Sequence, residues 1–447
     1  MKSRGLLIAA LVLAALGGVM YWSNRHPASE DSSSKASSEA SVKLLSLNPA
    51  DIVRFSVRRK DQPQIDFSNN ASGSWEITAP KSLAADQDNV SSLLSSFSSL
   101  TSDRLIEQKV DNTAAYGLAN PPLEIVATLK DNKTQKLLIG DQTPSGNAYY
   151  AMLSGDPRLF TIAGYTKTSL DKSANDLRDK RLVTVDFDKV SQIELHNAAK
   201  NQDVTLARNK DAWQVLRPSA YRADADQVDE LVRALREAKM DLSGAPDDAK
   251  TAAAFRSAQP GANARLTGTS GTQELEIRKT RDKDDYYARS SAVPGIYKVA
   301  ATTGASLNKG LDDFRNKKLF DFAYQDPEKI EMHDGAKSYL LTRSGSDWWG
   351  PDGKKLDAAT VDAVVEKIRS LAASKFPTSG FTTAALELTV TSNDGKRVER
   401  VAISKNSDAY VAKRENEPAL YELPSSAILE LQDAAGRLKP AAAPPAK

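Results

Sequence analysis

The stretch Asp86-Gln87-Asp88-Asn89-Val90-Ser91-Ser92-Leu93-Leu94-Ser95-Ser96-Phe97-Ser98-Ser99-Leu100 decides the fold. Its apolar residues Val90, Leu93, Leu94, Phe97 and Leu100 step i, i+3, i+4, i+7, i+10, which keeps them on one stripe of an α-helix. Asp86, four places ahead of Val90, suits an N-cap whose carboxylate accepts backbone N–H bonds. The same spacing returns at Asp224, Val228, Leu231, Val232, Leu235 and Ala238, and again at Asp357, Val361, Val364, Val365, Ile368 and Leu371. A helix written three times with one spacing signals internal triplication.

The bulk numbers agree. A chain of 447 residues has room for about three domains at roughly 150 residues each. Lys plus Arg (60) nearly balance Asp plus Glu (58), so no large basic surface exists for nucleic acid, and no nucleic-acid partner is expected. Cysteine is absent, which removes disulfides, thiolate metal sites and cysteine nucleophiles. Residues 5–22, Gly-Leu-Leu-Ile-Ala-Ala-Leu-Val-Leu-Ala-Ala-Leu-Gly-Gly-Val-Met-Tyr-Trp, form an uncharged run behind Lys2 and Arg4. The run is long enough to span a bilayer, with Tyr21 and Trp22 at headgroup level and the basic residues on the cytoplasmic side. A cleaved signal peptide shares the charged start and apolar core and is the alternative.

Each copy opens on an alternating strand: Asp51-Ile52-Val53-Arg54-Phe55-Ser56-Val57, Val190-Ser191-Gln192-Ile193-Glu194-Leu195-His196, and Glu328-Lys329-Ile330-Glu331-Met332-His333. A tryptophan strand follows at Trp75, Trp213 and Trp348 or Trp349, then a proline at Pro80, Pro218 and Pro351, then the helix. After the helix the period returns to two, and four short strands read as an antiparallel meander. A short closing helix with a basic exit ends copies one and two, from Ser169 to Leu182 and from Ser306 to Leu319, and copy three lacks that basic exit. The fold class expected is α+β: an N-terminal transmembrane helix followed by three tandem repeats, each an antiparallel sheet packed on an amphipathic helix. The expected segments are 1–4 cytoplasmic, 5–22 the anchor, and 23–47 a Ser-rich tether and lead-in. Repeat units follow at 48–183, 184–320 and 321–439, with a Pro/Ala-rich unstructured tail at 440–447.

The first copy resembles a bacterial family known as domain of unknown function 4340. The residues that carry the resemblance are Trp75, the Asp86 helix, Tyr116-Gly117-Leu118 with Pro121-Pro122, Ile139-Gly140-Asp141 with Pro144-Ser145-Gly146, and Tyr149-Tyr150-Ala151. Copies two and three keep the helix, a tryptophan and a tyrosine strand but lack the Tyr-Gly-Leu and Ile-Gly-Asp segments. Members look like membrane-anchored envelope proteins, some encoded beside gliding-motility-type ABC exporters. The resemblance therefore implies an inner-membrane protein with its bulk in the periplasm and an exporter permease as a partner, and it supplies no catalytic residues.

Candidate sites are few. His196 and His333 end equivalent strands, each two residues after a glutamate (Glu194, Glu331), and a surface role is the expectation, because zinc needs more ligands. Asp282, Asp284 and Asp285 lack the glycine and distal glutamate of a calcium loop and read as a hairpin turn. The equivalent tryptophans read as core, except that Trp348 and Trp349 are adjacent on a strand and must face opposite ways, so one indole is expected to be exposed as a partner surface. Lys172, Arg178, Lys180, Lys309, Arg315 and Lys317 form the basic exits. They are expected to act at helix C-termini or in junction ion pairs, with an anionic phospholipid or polysaccharide as the sharper alternative. No Gly-x-Ser-x-Gly elbow, phosphate loop or dinucleotide fingerprint occurs, and no cofactor, metal or catalytic residue is expected. The expected function is a non-enzymatic membrane-tethered scaffold or export-complex accessory. The alternatives are a glycan- or lipid-binding module of the envelope and an unrecognised hydrolase.

Overall fold

The computed structural model describes residues 42–442, apart from 211, 244–247, 282, 323–326 and 407–408. The apolar run at 5–22, the tether up to residue 41, His26 and Asp282 lie outside the described residues. Among the described residues no helix is long and apolar enough to cross a membrane.

The chain forms two compact units, residues 1–179 and 180–447. The first holds one antiparallel sheet and the second holds two. Spatial order in the first sheet is Leu83–Ala84, Trp75–Ala79, Ile65–Asn69, Ile52–Arg59, Leu123–Leu129, Thr134–Gln142, Ala148–Leu153, Leu159–Ala163 and Arg104–Glu107. The second runs Tyr221–Arg222, Ala212–Arg217, Gln202–Asn209, Val190–Asn197, Gln259–Gly268, Gly271–Lys279, Tyr286–Ser290 and Ile296–Val299. The third runs Asp347–Trp349, Lys337–Ser344, Pro327–Asp334, Leu386–Ser392, Arg397–Asn406, Ala409–Arg414 and Leu420–Leu423. In every sheet the opening strand lies inside, between its hairpin partner and the first strand of the meander, Leu123–Leu129, Gln259–Gly268 or Leu386–Ser392. Phe55 pairs with Phe67 and Ala127, Ile193 with Leu206 and Leu266, and Ile330 with Leu341 and Val390. The first hairpin turns at equivalent left-handed residues, Asp61, Asn201 and Gly335, whose positive φ suits short polar side chains or none.

Alternation puts one face of each sheet under the amphipathic helix, Gln87–Ser98, Ala225–Arg236 or Ala358–Ser370. Val90, Leu93, Leu94 and Phe97 are buried with Phe55, Val57 and Ile125, and the Phe97 ring meets Phe55 edge-on at 5.3 Å. Burial of side chains this size stabilises by about 1.5–3 kcal/mol each. The three aspartates cap as their position requires: Asp86 accepts from Asp88 and Asn89 N–H, Asp224 from Gln227 N–H, and Asp357 from Thr360 N–H.

Two backbone contacts recur in all copies and close them. The capping Asp donates its own N–H to a carbonyl far downstream: Asp86 to Leu177 at 2.8 Å, Asp224 to Phe314 at 2.8 Å, and Asp357 to Lys439 at 2.9 Å. Just past the helix, a lead-in segment of basic-Leu-apolar wording bridges the exit: Lys43 to Thr101, Arg181 to Lys239, and Lys318 to Ala372.

The structure corrects several of the expected boundaries and elements. Leu182 and Val183 belong to the second core, and Leu319 and Phe320 to the third, so the repeat edges lie a few residues upstream of 184 and 321. Leu45 likewise packs in the first core, so the lead-in before 48 is part of that copy. Pro440 is not tail, since it bridges Leu356 while Ala441 N–H reaches Lys355 O at 2.9 Å. The closing element is two short helices, Gly164–Leu170 with Ala174–Leu177 and Ala301–Leu307 with Leu311–Phe314. Copy three closes instead with one helix, Ser425–Gly436, which the strand-rich reading of that region did not anticipate.

Candidate functional site

The segment between the helix exit and the next strand is where the copies differ. In the first sheet it contributes the edge strand Arg104–Glu107, paired with Leu159–Ala163, and a 3-10 turn Thr113–Tyr116. In the second and third sheets the same edge receives single bridges, Asp241 to Lys298 and Lys375 to Glu422. The second copy adds the helix Asp248–Ser257.

The Tyr116-Gly117-Leu118 segment clasps the first insert to its sheet. Gly117 has φ of 70°, and a Cβ there would sit 2.5 Å from the Asp141 carboxylate; a Cβ on Gly140 would sit 2.1 Å from Tyr116 O. Gly140 is therefore required by close approach to backbone, and Gly117 by its left-handed φ. The Tyr116 hydroxyl donates to Glu107, and its ring meets Tyr150 at 4.8 Å. The hydrogen bond to the Glu107 carboxylate is the main reason the Tyr116 phenol is held above its ordinary pKa. Tyr-Gly-Leu and Ile-Gly-Asp thus meet as one structural clasp.

Lys172 and Lys309 lie between the two short helices of their copies, and the other four cations lie at or beyond the end of the second. Arg178 and Arg315 are the helix C-caps with extended ψ. The helix C-terminus therefore does not explain Lys180 or Lys317. The carbonyls of Lys180 and Lys317 accept from Met240 and Ala373 N–H, each at 2.8 Å. Lys172, Arg178 and Lys180 are half-buried and Lys317 is exposed. Lys309 turns inward, its ammonium on Gln227 Oε1 (2.8 Å) and Glu230 (2.7 Å) of the helix. Arg315 is buried between two rings, 4.1 Å from the Tyr221 centroid and 3.6 Å from that of Phe376, with Asp312 at 3.4 Å. Lys309 and Arg315 are thus internal fixtures, not a surface for an anion.

Around Arg315 the second and third copies share a network that the sequence did not disclose. Arg222 pairs with Glu417 at 2.9 Å and donates to Lys318 O. Glu417 also takes Arg414 (2.8 Å) and the Tyr421 hydroxyl (2.6 Å). Arg414 pairs with Glu399 at 3.1 Å and donates to Leu319 O. Glu399 is 5% exposed and also holds Arg397 at 3.2 Å. The available signal was Arg222, which stands where the other copies have Ala84 and Lys355.

The tryptophans divide as expected. Trp75, Trp213 and Trp348 are buried, whereas Trp349 is 36% exposed on the opposite face. The two histidines are not a paired site with their glutamates: His196 Nδ1 lies 2.7 Å from Asp203 and His333 Nδ1 lies 2.9 Å from Ser338 Oγ, both across a hairpin. Asp284 and Asp285 pair with Lys279 and Lys298, each at 2.8 Å. Among the described residues no group of three or more His, Cys, Asp or Glu is placed to hold a metal. An open cavity of about 340 Å³ beside the second lead-in is lined by Arg181, Val183, Asp186, Phe187, Asp188 and Arg236, and Arg236 lies 5.2 Å over the Phe187 ring.

A family model described as "Domain of unknown function (DUF4340)" matches residues 75–214 and again 213–389. The chain belongs to this family. Each DUF4340 match begins at a tryptophan strand and runs past the closing segment into the next copy, the first as far as the strand Ala212–Arg217 and the second through the helix Ala358–Ser370 into the strand Leu386–Ser392, so the family period is out of phase with the folded sheet. No curated protein and no solved structure matches the chain.

Proposed function

We propose that the chain is a membrane-tethered envelope scaffold, held by residues 5–22 with its repeats in the periplasm, and an accessory subunit of an export complex such as an ABC-type exporter. The observation that supports this reading is the shared network of the second and third copies. Arg222, Glu417, Arg414 and Glu399 fasten two sheets into one compact unit. A buried polar network of this kind fixes a single arrangement, which a scaffold needs to present surfaces at set positions. Lys309 and Arg315 serve the same end, being consumed inside the copies.

The test is crosslinking in intact cells followed by mass spectrometry, with fractionation in parallel. Crosslinks from the repeats to an exporter permease, in a carbonate-resistant membrane fraction, are expected. Release into the soluble fraction would remove the tether, and crosslinks to no membrane transporter would remove the accessory role.

A further inference from the structure

The three copies act as internal controls for one another, and one row of side chains on the face of the sheets away from the amphipathic helix separates the third from the rest. Adjacent residues across the first sheet are Glu76, Ser68, Arg54, Thr128 and Thr134. The same row in the second sheet is Gln214, Ala207, Gln192, Thr267 and Thr272. In the third it is Trp349, Thr342, Lys329, Thr391 and Val398. Trp349 replaces a glutamate and a glutamine, and Val398, 43% exposed, replaces two threonines. Since the sheet forms twice with polar residues at these ends, neither apolar side chain is required by the fold.

The charge around the row selects the ligand class. Lys329 pairs with Glu331 at 2.8 Å, Lys355 with Asp347 at 2.9 Å, Lys354 with Asp352 at 2.9 Å and Arg400 with Glu415 at 2.8 Å. The patch therefore carries no net field to recruit an anion or a cation, which disfavours nucleic acid and acidic lipid. A protein interface needs a contiguous apolar core, whereas here Trp349 and Val398 are separated by three polar residues. A row of roughly 19 Å at the usual strand spacing, with an indole at one end, an isopropyl group at the other, and two hydroxyls and an ammonium between them, matches the alternating C–H and O–H surface of a sugar chain.

We propose that the face of the third sheet away from the amphipathic helix binds a neutral pyranose polysaccharide, with Trp349 stacking on a sugar ring and Thr342, Lys329 and Thr391 hydrogen-bonding its hydroxyls. This goes beyond the scaffold reading and does not depend on an exporter. The test titrates the full-length protein, in a detergent without a sugar headgroup, with cellohexaose, chitohexaose and laminarihexaose by calorimetry. At least one is expected to bind. Trp349→Gln, which installs the side chain of the second copy, is expected to weaken that binding by about tenfold or more while leaving the thermal midpoint in place. A Thr342→Val variant, which keeps the indole, is expected to weaken it less. Absence of binding to all three sugars would overturn the proposal, as would equal affinity in Trp349→Gln. Loss of a protein crosslink in that variant with sugar binding intact would assign the face to a protein instead.

Discussion

The exits of the first and second copies are written almost alike, Leu177-Arg178-Asp179-Lys180-Arg181-Leu182 against Phe314-Arg315-Asn316-Lys317-Lys318-Leu319, but the residues just before the capping Asp differ between the two copies. Arg315 lies between the rings of Tyr221 and Phe376, and the residue at the position of Tyr221 in the first copy is Leu83, which offers a guanidinium no π face. Arg222, two residues before the capping Asp, reaches Glu417, whereas the first copy has Ala84 there. The second and third copies form one compact unit, and the first is a unit of its own. Within the second unit, the comparison teaches that the join between two copies is made by a few side chains, Arg222, Arg315, Glu417 and Arg414, set beside a backbone that all copies share.

The largest effect expected to break this contrast comes from Glu399→Ala, which leaves Arg414 and Arg397 without a buried carboxylate. Loss of about 3–5 kcal/mol is expected, confined to residues 180–442, with hydrogen exchange of the first unit unchanged in denaturant. Equal deprotection of both units would refute the division.

Tyr221→Leu makes the second copy like the first at the decisive position. It removes one face of the cation sandwich and is expected to cost the second unit about 1–2 kcal/mol. An unmoved unfolding midpoint would mean that the sandwich does not distinguish the copies.

Asp86→Ala, Asp224→Ala and Asp357→Ala sharpen the likeness instead, because each deletes the same cap. About 1 kcal/mol is expected from each, read in the exchange of its own helix, and a strongly unequal series would show that the caps are not equivalent.

The smallest effect concerns pH. Burial alone would raise the Asp313 carboxyl, but the Gly310 N–H at 2.7 Å and the Lys200 ammonium at 2.8 Å accompany a value held below the ordinary aspartate range. A folded-state value below the unfolded one gives stability that is complete above the unfolded value and is lost as pH falls through the folded one. Asp313→Asn is therefore expected to flatten the acid limb of the second unit's stability curve below about pH 4 and to leave the first unit's curve alone. Parallel acid limbs in variant and parent would remove Asp313 from the account.

Much of the fold was legible because periodicity carries it. Val90, Leu93, Leu94 and Phe97 declared one face of a helix, alternation at Phe55 and Val57 declared a half-buried strand, and both follow from local geometry. What escaped was long-range. The basic-Leu-apolar lead-ins look like the ends of the closing helices until Leu182 and Leu319 are seen pairing with Ala238 and Leu371, far along the chain. The closing helix of copy three was missed because Ser425 has no cap signal, only Pro424 before it. Of the candidate side chains, the opposed facing of Trp348 and Trp349 was legible, since neighbours on a strand must diverge. The inward turn of Lys309 and Arg315 was not, because a lysine or arginine in a basic run gives no hint of a distant Glu230 or Phe376.

The carbonyl that receives each capping Asp has a consequence for how such a chain matures. Asp86 has to wait for Leu177, and Asp224 for Phe314, so the helix of each copy is threaded well before the segment that latches it. A polypeptide delivered across a membrane from its N-terminal end would hold every module ajar until its own final segment emerged, exposing one oily stripe at a time instead of three together.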